Sequence, residues 1–127
     1  MSDPMTGSSA TLLLVDDMPI LLEMLQEILT LRGYNLFTAK NGMDAYHILT
    51  QNEVKIDLIL TDLQMPDISG IMLAQKIYDL NPTIPVLLAT GDDSFEEETL
   101  PPNIKGVLVK PYQPKAVIER IKSILSG

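Results

Sequence analysis

Short runs of apolar residues alternate along the chain with segments in which apolar residues recur at helical spacing. A run that is apolar throughout, such as Leu12–Val15, indicates a strand that is buried on both faces of a sheet. We predict five strands from these runs: Leu12–Val15, YNLFTA (34–39), IDLILTD (56–62), VLLAT (86–90) and GVLVK (106–110).

A helix is predicted directly after the first strand. Pro19 suits the first turn of a helix, and Gly33 is placed to end it. Between them, the apolar residues recur at intervals of three and four, which predicts one buried face. That predicted face consists of Ile20, Leu21, Met24, Leu25, Ile28 and Leu29.

Further helices are predicted between the remaining strands and after the last one. The segment between the fourth and fifth strands is the weakest, because Pro101 and Pro102 would break any helix that approached them. The predicted elements are a short helix after Asn41–Gly42, a helix from about Gly70 to Leu80, a short fourth helix at about 94–100, and a last helix that opens at Pro114.

This alternation predicts an α/β fold, in which helices cover both faces of a doubly wound parallel sheet. The 127 residues are enough for one domain, and no internal repeat suggests a second. We assign residues 11–127 to that domain. Residues 1–10 are expected to be a flexible lead-in or a tag remnant, and the chain is expected to be a stand-alone regulator or a piece of a larger protein.

The charge and composition narrow the function classes. A net charge of −8 argues against a nucleic-acid surface or an anionic membrane as the partner, and it fits a protein that holds a cation. The chain has no cysteine, which excludes disulfides and thiolate metal sites. No apolar run approaches the roughly 20 residues of a membrane span. These features fit a cytoplasmic protein.

Polar residues end four of the predicted strands. Asp16 and Asp17 follow the first strand, Asp62 ends the third, Thr90 ends the fourth and Lys110 ends the fifth. In an open parallel sheet, ligands bind beyond the carboxyl ends of the strands. We therefore expect these side chains to meet at one edge of the sheet.

The chemistry of this set indicates phosphate and a divalent cation. Clustered carboxylates repel one another, and a hard cation such as Mg²⁺ relieves the repulsion and favours phosphate as a co-ligand. Lys110 offers a positive charge and Thr90 a hydroxyl donor to phosphate oxygens. One carboxylate could then act as a nucleophile toward phosphorus and form an aspartyl phosphate.

The strand-end motifs resemble those of response regulator receiver domains of two-component signalling. The resemblance runs from Leu12 to about Leu125, and its motifs are VDD (15–17), TDLQMPDISG (61–70), LLAT (87–90) and VLVKP (107–111). It implies a flavodoxin-like fold with five helices and the strand order 2-1-3-4-5. It also implies that the Lys110–Pro111 peptide bond is cis.

The resemblance assigns a role to each residue of the set. Asp62 would be the phosphoacceptor, and Thr90 and Lys110 would bind the phosphoryl oxygens. The metal ligands would be Asp16, Asp17, Asp62 and the backbone carbonyl of Gln64, with Mg²⁺ as the cofactor.

The implied activity is phosphorelay signalling. A histidine kinase or a histidine phosphotransfer protein would donate the phosphoryl group, and a downstream protein target or effector domain would respond. Such a domain catalyses its own phosphorylation and dephosphorylation without being a metabolic enzyme. The stretch LPPNIKGVLVKPY (100–112) is similar to receivers at the ends of hybrid sensor kinases.

Several positions depart from the family pattern. Many receivers have an aromatic residue where this chain has Val107, which puts the coupling of the threonine to an aromatic switch in doubt. The Pro-interrupted fourth helix also departs, and Tyr112 is expected to pack rather than switch. Gln64 and Asp92 occupy positions that tune phosphate lifetime in the family.

Two other functions fit parts of the pattern. The first is an interaction module with the same fold that signals without phosphorylation. The second is a Mg²⁺-dependent phosphohydrolase with an aspartyl nucleophile. Such enzymes commonly place a second acid two residues after the nucleophile, and this chain has Gln64 there.

Overall fold

Five parallel strands form one sheet in the computed structural model, which describes residues 10–51, 55–91 and 100–127. The order across the sheet is 2-1-3-4-5, so the predicted doubly wound topology is confirmed. The strands are β1 (Thr11–Val15), β2 (Asn35–Ala39), β3 (Leu58–Asp62), β4 (Val86–Thr90) and β5 (Ile104–Val109).

Four helices lie within the described residues, against five predicted for the whole chain. The predicted short helix at 94–100 falls outside the described residues except for Leu100, which is not helical. The predicted lead-in also lies outside them, apart from Ala10. The helices are α1 (Pro19–Leu31), α2 (Gly42–Gln51), α3 (Gly70–Leu80) and α4 (Pro114–Ser126).

The sheet separates two apolar cores. The three central strands, β1, β3 and β4, are buried at every position, as continuously apolar runs predict. Helices α1 and α4 pack on one face, against residues such as Leu14 and Leu60. Helices α2 and α3 pack on the other face, against Leu13 and Ile59. Helices packed on both faces therefore hold the central strands, and with them the residues at the strand ends, in place.

The predicted apolar face of α1 is partly wrong. Ile20 is 81% exposed and Met24 is 37% exposed, whereas Leu22 is buried and was not predicted. The run PILLEML offers apolar residues on more than one side of the helix, so spacing alone does not fix which side turns inward. The helix does end as predicted, since Gly33 adopts a φ of 94° that favours glycine.

Among the described residues, no helix combines the length and the apolar character that crossing a bilayer requires.

Gly70 allows α3 to start directly against the end of β3. A Cβ atom at this position would collide with the backbone carbonyl oxygen of Asp62 and would lie 2.9 Å from Cδ1 of Leu88. The Gly70 amide donates a hydrogen bond of 2.7 Å to the Leu63 carbonyl, and the Ser69 hydroxyl caps the helix by accepting from the Met72 amide. The path of the chain after Asp62 therefore depends on this glycine.

We expect Gly70→Ala to lower the free energy of unfolding by about 1–3 kcal/mol, because the added methyl group meets backbone that cannot move aside. Gly91→Ala is the matched control, since no atom of the described residues lies within 4 Å of a Cβ there. The control should change stability by less than about 0.5 kcal/mol. Urea unfolding of both variants measures the difference, and equal stabilities would contradict the close approach of α3 to Asp62.

Candidate functional site

The predicted strand-end residues meet at the carboxyl edge of the sheet. Asp16 follows β1, Asp62 and Thr90 are the last residues of β3 and β4, and Lys110 follows β5. Lys110 Nζ lies 3.1 Å from Oδ2 of Asp16 and 3.3 Å from Oδ1 of Asp62. The parallel register thus brings together side chains that are far apart in sequence.

Three carboxylates form the acidic side of the site. Asp16, Asp17 and Asp62 each offer an oxygen atom, and these atoms all lie within 4.8 Å of one another. Asp16 and Asp62 are buried, whereas Asp17 is exposed to solvent. A cluster made only of oxygen ligands and open to water on one side suits a hard cation such as Mg²⁺, which retains part of its hydration shell.

The buried acid Asp62 is not in a favourable environment for its charge. Burial raises the pKa of Asp62, the Lys110 ammonium opposes this effect, and the neighbouring charge of Asp16 adds to it. The result is a pKa above the usual range. A bound cation or a covalent modification that removes the carboxylate charge would therefore be favoured at this position.

Lys110 is the counterion for both buried acids. Burial lowers its pKa, but the hydrogen bond to Asp16 and the negative charges of Asp16 and Asp62 outweigh that effect and raise it overall. The ammonium group is therefore held in its charged form. Its side chain remains 23% exposed, so it can change partners when a ligand enters.

Backbone contacts hold the acidic residues and Lys110 in place. Oδ1 of Asp16 accepts from the Met18 amide at 3.0 Å, which leaves Oδ2 for Lys110. The Lys110 amide donates to the Thr90 carbonyl at 2.8 Å, and the Leu63 amide donates to the Ala89 carbonyl at 2.7 Å. The site is thus built into the ends of the sheet rather than into independent loops.

Thr90 and Gln64 belong to the carboxyl ends of neighbouring strands. Thr90 is almost fully buried at the end of β4, and Gln64 follows Asp62 by two residues with an exposed side chain. The Lys110–Pro111 bond is cis, as the resemblance implied. Asp92 lies outside the described residues.

Tyr112 packs under the site, as predicted. Its ring contacts the core formed by α1, α4 and one face of the sheet. Burial, together with the charges of Asp16 and Asp62, raises the pKa of the phenol to about 12, so it stays neutral. Val107, the departure from the family's aromatic residue, is half-buried and pairs with Leu88 of β4.

One residue near the site was not predicted. The Asp67 carboxylate accepts hydrogen bonds from the Gly42 and Met43 amides at the start of α2. An acid in a proline-led loop is a sequence signal for a turn or cap, but the partner lies 25 residues away. Sequence spacing therefore gave no reason to join Asp67 to α2.

Known proteins resemble the chain along nearly its whole length. The sequence model described as "Response regulator receiver domain" matches residues 12–122. A probable transcriptional regulatory protein of Mycobacterium tuberculosis, TcrX, is 33% identical over 121 residues, covering 94% of this chain and 51% of TcrX. The chemotaxis protein CheY of Treponema pallidum is 32% identical over 122 residues, covering 94% of this chain and 85% of that protein.

A solved structure shares the fold and holds a ligand. The response regulator TrrA of Thermotoga maritima, crystallised in complex with Mg²⁺–BeF, superposes with a TM-score of 0.82 at 28% identity. The match covers 91% of this chain and 99% of TrrA. The chain spans about half of the length of TcrX and 27% of the length of the Escherichia coli transcriptional regulatory protein GlrR, so whole-protein activities of such relatives do not transfer directly.

We expect Lys110→Ala to destabilise the protein at neutral pH by about 2 kcal/mol, because two buried carboxylates lose their charged hydrogen-bond donor. The loss should shrink on acidification. A carboxyl group with a raised pKa, such as Asp62, takes up a proton more readily in the folded than in the unfolded state. Lowering the pH through this pKa therefore removes the unpaired buried charge and stabilises the folded variant relative to the unfolded chain.

Lys105→Ala is the control, because Lys105 is exposed on β5 and forms no ion pair within the described part of the chain. It removes the same charge from the protein. Thermal unfolding from about pH 7 to pH 4 compares the two variants. A Lys110→Ala deficit that stays constant with pH, or that matches the control, would rule out the counterion role.

Proposed function

The chain belongs to the family of response regulator receiver domains, and from this membership we propose that it accepts a phosphoryl group on Asp62 in a Mg²⁺-dependent reaction. The observation that carries the proposal is the convergence of Lys110 on Asp16 and Asp62, beside the exposed carboxylate of Asp17. The Asp62 carboxylate as nucleophile, the Lys110 ammonium group and the carboxylate oxygens that could bind a metal lie within a few ångströms of one another. That arrangement supports phosphoryl transfer better than passive binding.

Asp62 is placed to act as the nucleophile. An ionised Oδ attacks the phosphorus of a phosphohistidine, the new O–P bond forms as the P–N bond breaks, and the electron pair returns to the imidazole nitrogen, which then takes a proton from water. The neutral imidazole leaves, and an aspartyl phosphate remains. Since burial disfavours the charge of Asp62, this carboxylate is poorly solvated.

Two residues are positioned to stabilise the phosphoryl oxygens. Lys110 carries a charge that is held in place by the acids it bonds, and its exposed fraction lets it move toward a phosphoryl oxygen. Thr90, at the end of the neighbouring strand, would donate its hydroxyl group to a second oxygen. Positive charge and hydrogen-bond donors close to the reacting group lower the barrier by stabilising the negative charge of the phosphoryl oxygens.

The donor set fits Mg²⁺. Asp16, Asp17, Asp62 and the Gln64 carbonyl would hold it, with water completing the coordination. The ion would supply charge neutralisation between the carboxylates and the entering phosphoryl group.

Phosphorylation of Asp62 would change the ion pairs that Lys110 forms at the carboxyl edge of the sheet. Lys110 would exchange its bond to the Asp62 carboxylate for one to a phosphoryl oxygen, and the strand ends it connects would shift between arrangements that already exist in equilibrium. Because Val107 replaces the aromatic residue common in the family, we propose that this shift does not use an aromatic switch.

We propose a histidine kinase or a histidine phosphotransfer protein as the donor, and a downstream protein or effector domain as the target. A receiver of a hybrid sensor kinase is one such context, supported by the resemblance of residues 100–112. The negative net charge supports protein partners rather than nucleic acid or a membrane. Gln64, with its exposed amide, offers no acid for the phosphohydrolase alternative.

Intact-mass spectrometry after incubation with acetyl phosphate and Mg²⁺ tests the proposal. We expect one added phosphoryl group in the wild type and none in Asp62→Asn, with the signal lost when EDTA removes the metal. Asp79→Asn, which removes an exposed acid of α3, should be modified like the wild type. An unmodified wild type that also fails to bind beryllium fluoride would favour the phosphorylation-independent interaction module.

A further inference from the structure

The loop between β3 and α3, residues 63–69, directly follows the proposed nucleophile Asp62 and contains the Gln64 carbonyl. Both ends of the loop are fixed by backbone hydrogen bonds. The Leu63 amide donates to the Ala89 carbonyl, and the Leu63 carbonyl accepts from the Gly70 amide, each at 2.7 Å. Gln64 lies just beyond the first of these anchors, in the segment between them.

The middle of the loop is bonded to α2 by Asp67. Its Oδ1 accepts from the Gly42 amide at 3.0 Å, and its Oδ2 accepts from the Met43 amide at 2.7 Å. These amides belong to the first turn of α2, where no backbone carbonyl of the helix can satisfy them. Although burial raises the pKa of Asp67, hydrogen bonds from the backbone amides of Met43, Gly42, Ile68 and Asp67 itself together outweigh it and lower the pKa, so the carboxylate stays charged.

Packing reinforces these hydrogen bonds. A Cβ atom on Gly42 would collide with Cγ1 of Ile68 and would lie 3.5 Å from Cε of Met65, so both loop side chains lie against the first residue of α2. Met65 Sδ also accepts from the Thr61 hydroxyl at 3.8 Å, one residue before Asp62. A continuous set of contacts thus runs from the end of β3 through the loop to α2.

We propose that Asp67 is a positioning residue that holds the Gln64 carbonyl in place for the cation by bonding the β3–α3 loop to the amino terminus of α2. The inference rests on the proposed function, because it assumes that Mg²⁺ binds at Asp16, Asp17 and Asp62. Coupling of this kind is reciprocal: if α2 orders the loop for the cation, the cation must order the start of α2.

The hydrogen bonds from Gly42 and Met43 to Asp67 would also form if Asp67 only capped α2 and did not position the loop. Asn41, which also caps α2, allows an experiment to separate capping from positioning. Oδ1 of Asn41 accepts from the Asp44 amide at 2.8 Å, and its Nδ2 donates to Oδ2 of Asp44 at 3.2 Å. Asn41 therefore also stabilises the start of α2, but among the described residues it forms no hydrogen bond with residues 63–69. Asn41→Ala weakens the helix end and leaves the tie to the loop intact.

Isothermal titration calorimetry of the unphosphorylated protein with MgCl₂ measures the coupling. We expect Asp67→Ala to raise the dissociation constant for Mg²⁺ about tenfold, as loss of a residue that orients a ligand does. Asp67→Asn, which keeps one acceptor oxygen, should give a smaller rise. Asn41→Ala should match the wild type, although it lowers the melting temperature as Asp67→Ala does.

Hydrogen exchange gives the reciprocal readout. Mg²⁺ should slow exchange of the Gly42 and Met43 amides in the wild type and in Asn41→Ala, and should leave them unchanged in Asp67→Ala. Wild-type affinity in Asp67→Ala, or equal losses in Asp67→Ala and Asn41→Ala, would overturn the positioning role while leaving the proposed function intact. A wild type that binds no Mg²⁺ would overturn both.

Discussion

One ammonium group bonded to two buried carboxylates is the interaction on which the functional edge of this protein depends. Lys110 lies within 3.3 Å of both Asp16 and Asp62, which the fold brings out of water although they repel each other. Without a cation, burying two such charges would be unfavourable. Under the proposed function, the same charges would be satisfied differently: Mg²⁺ would bind the carboxylates, and a phosphoryl group would bind the lysine.

The rest of the fold keeps those charges at a fixed spacing. Three central strands buried on both faces cannot slide, so Asp16 and Asp62 leave the sheet at defined points. The close approach of Gly70 then directs the chain from Asp62 into α3, and Asp67 ties the intervening loop to α2. The two buried acids are thus held by the ends of buried strands, whereas the Lys110 side chain remains partly exposed.

Much of this architecture is readable from the sequence because it depends on local patterns. Continuously apolar runs predicted the buried strands, and the polar residues at their ends predicted the meeting of Asp16, Asp62 and Lys110. The inward side of α1 was mispredicted because its apolar residues surround the helix, so the sheet decides which of them, such as Leu22, is buried. The bonds between Asp67 and α2 join a loop to the start of a helix that lies 25 residues away in sequence, and no spacing rule encodes them.

A crystal structure of the protein with Mg²⁺ and beryllium fluoride tests the central claim most directly. The account predicts a beryllium fluoride group on Asp62, Mg²⁺ among the oxygens of Asp16, Asp17 and the Gln64 carbonyl, and a Lys110 ammonium that has moved from the carboxylates to a fluorine atom. A metal bound elsewhere, or a Lys110 that still bridges Asp16 and an unmodified Asp62, would contradict it.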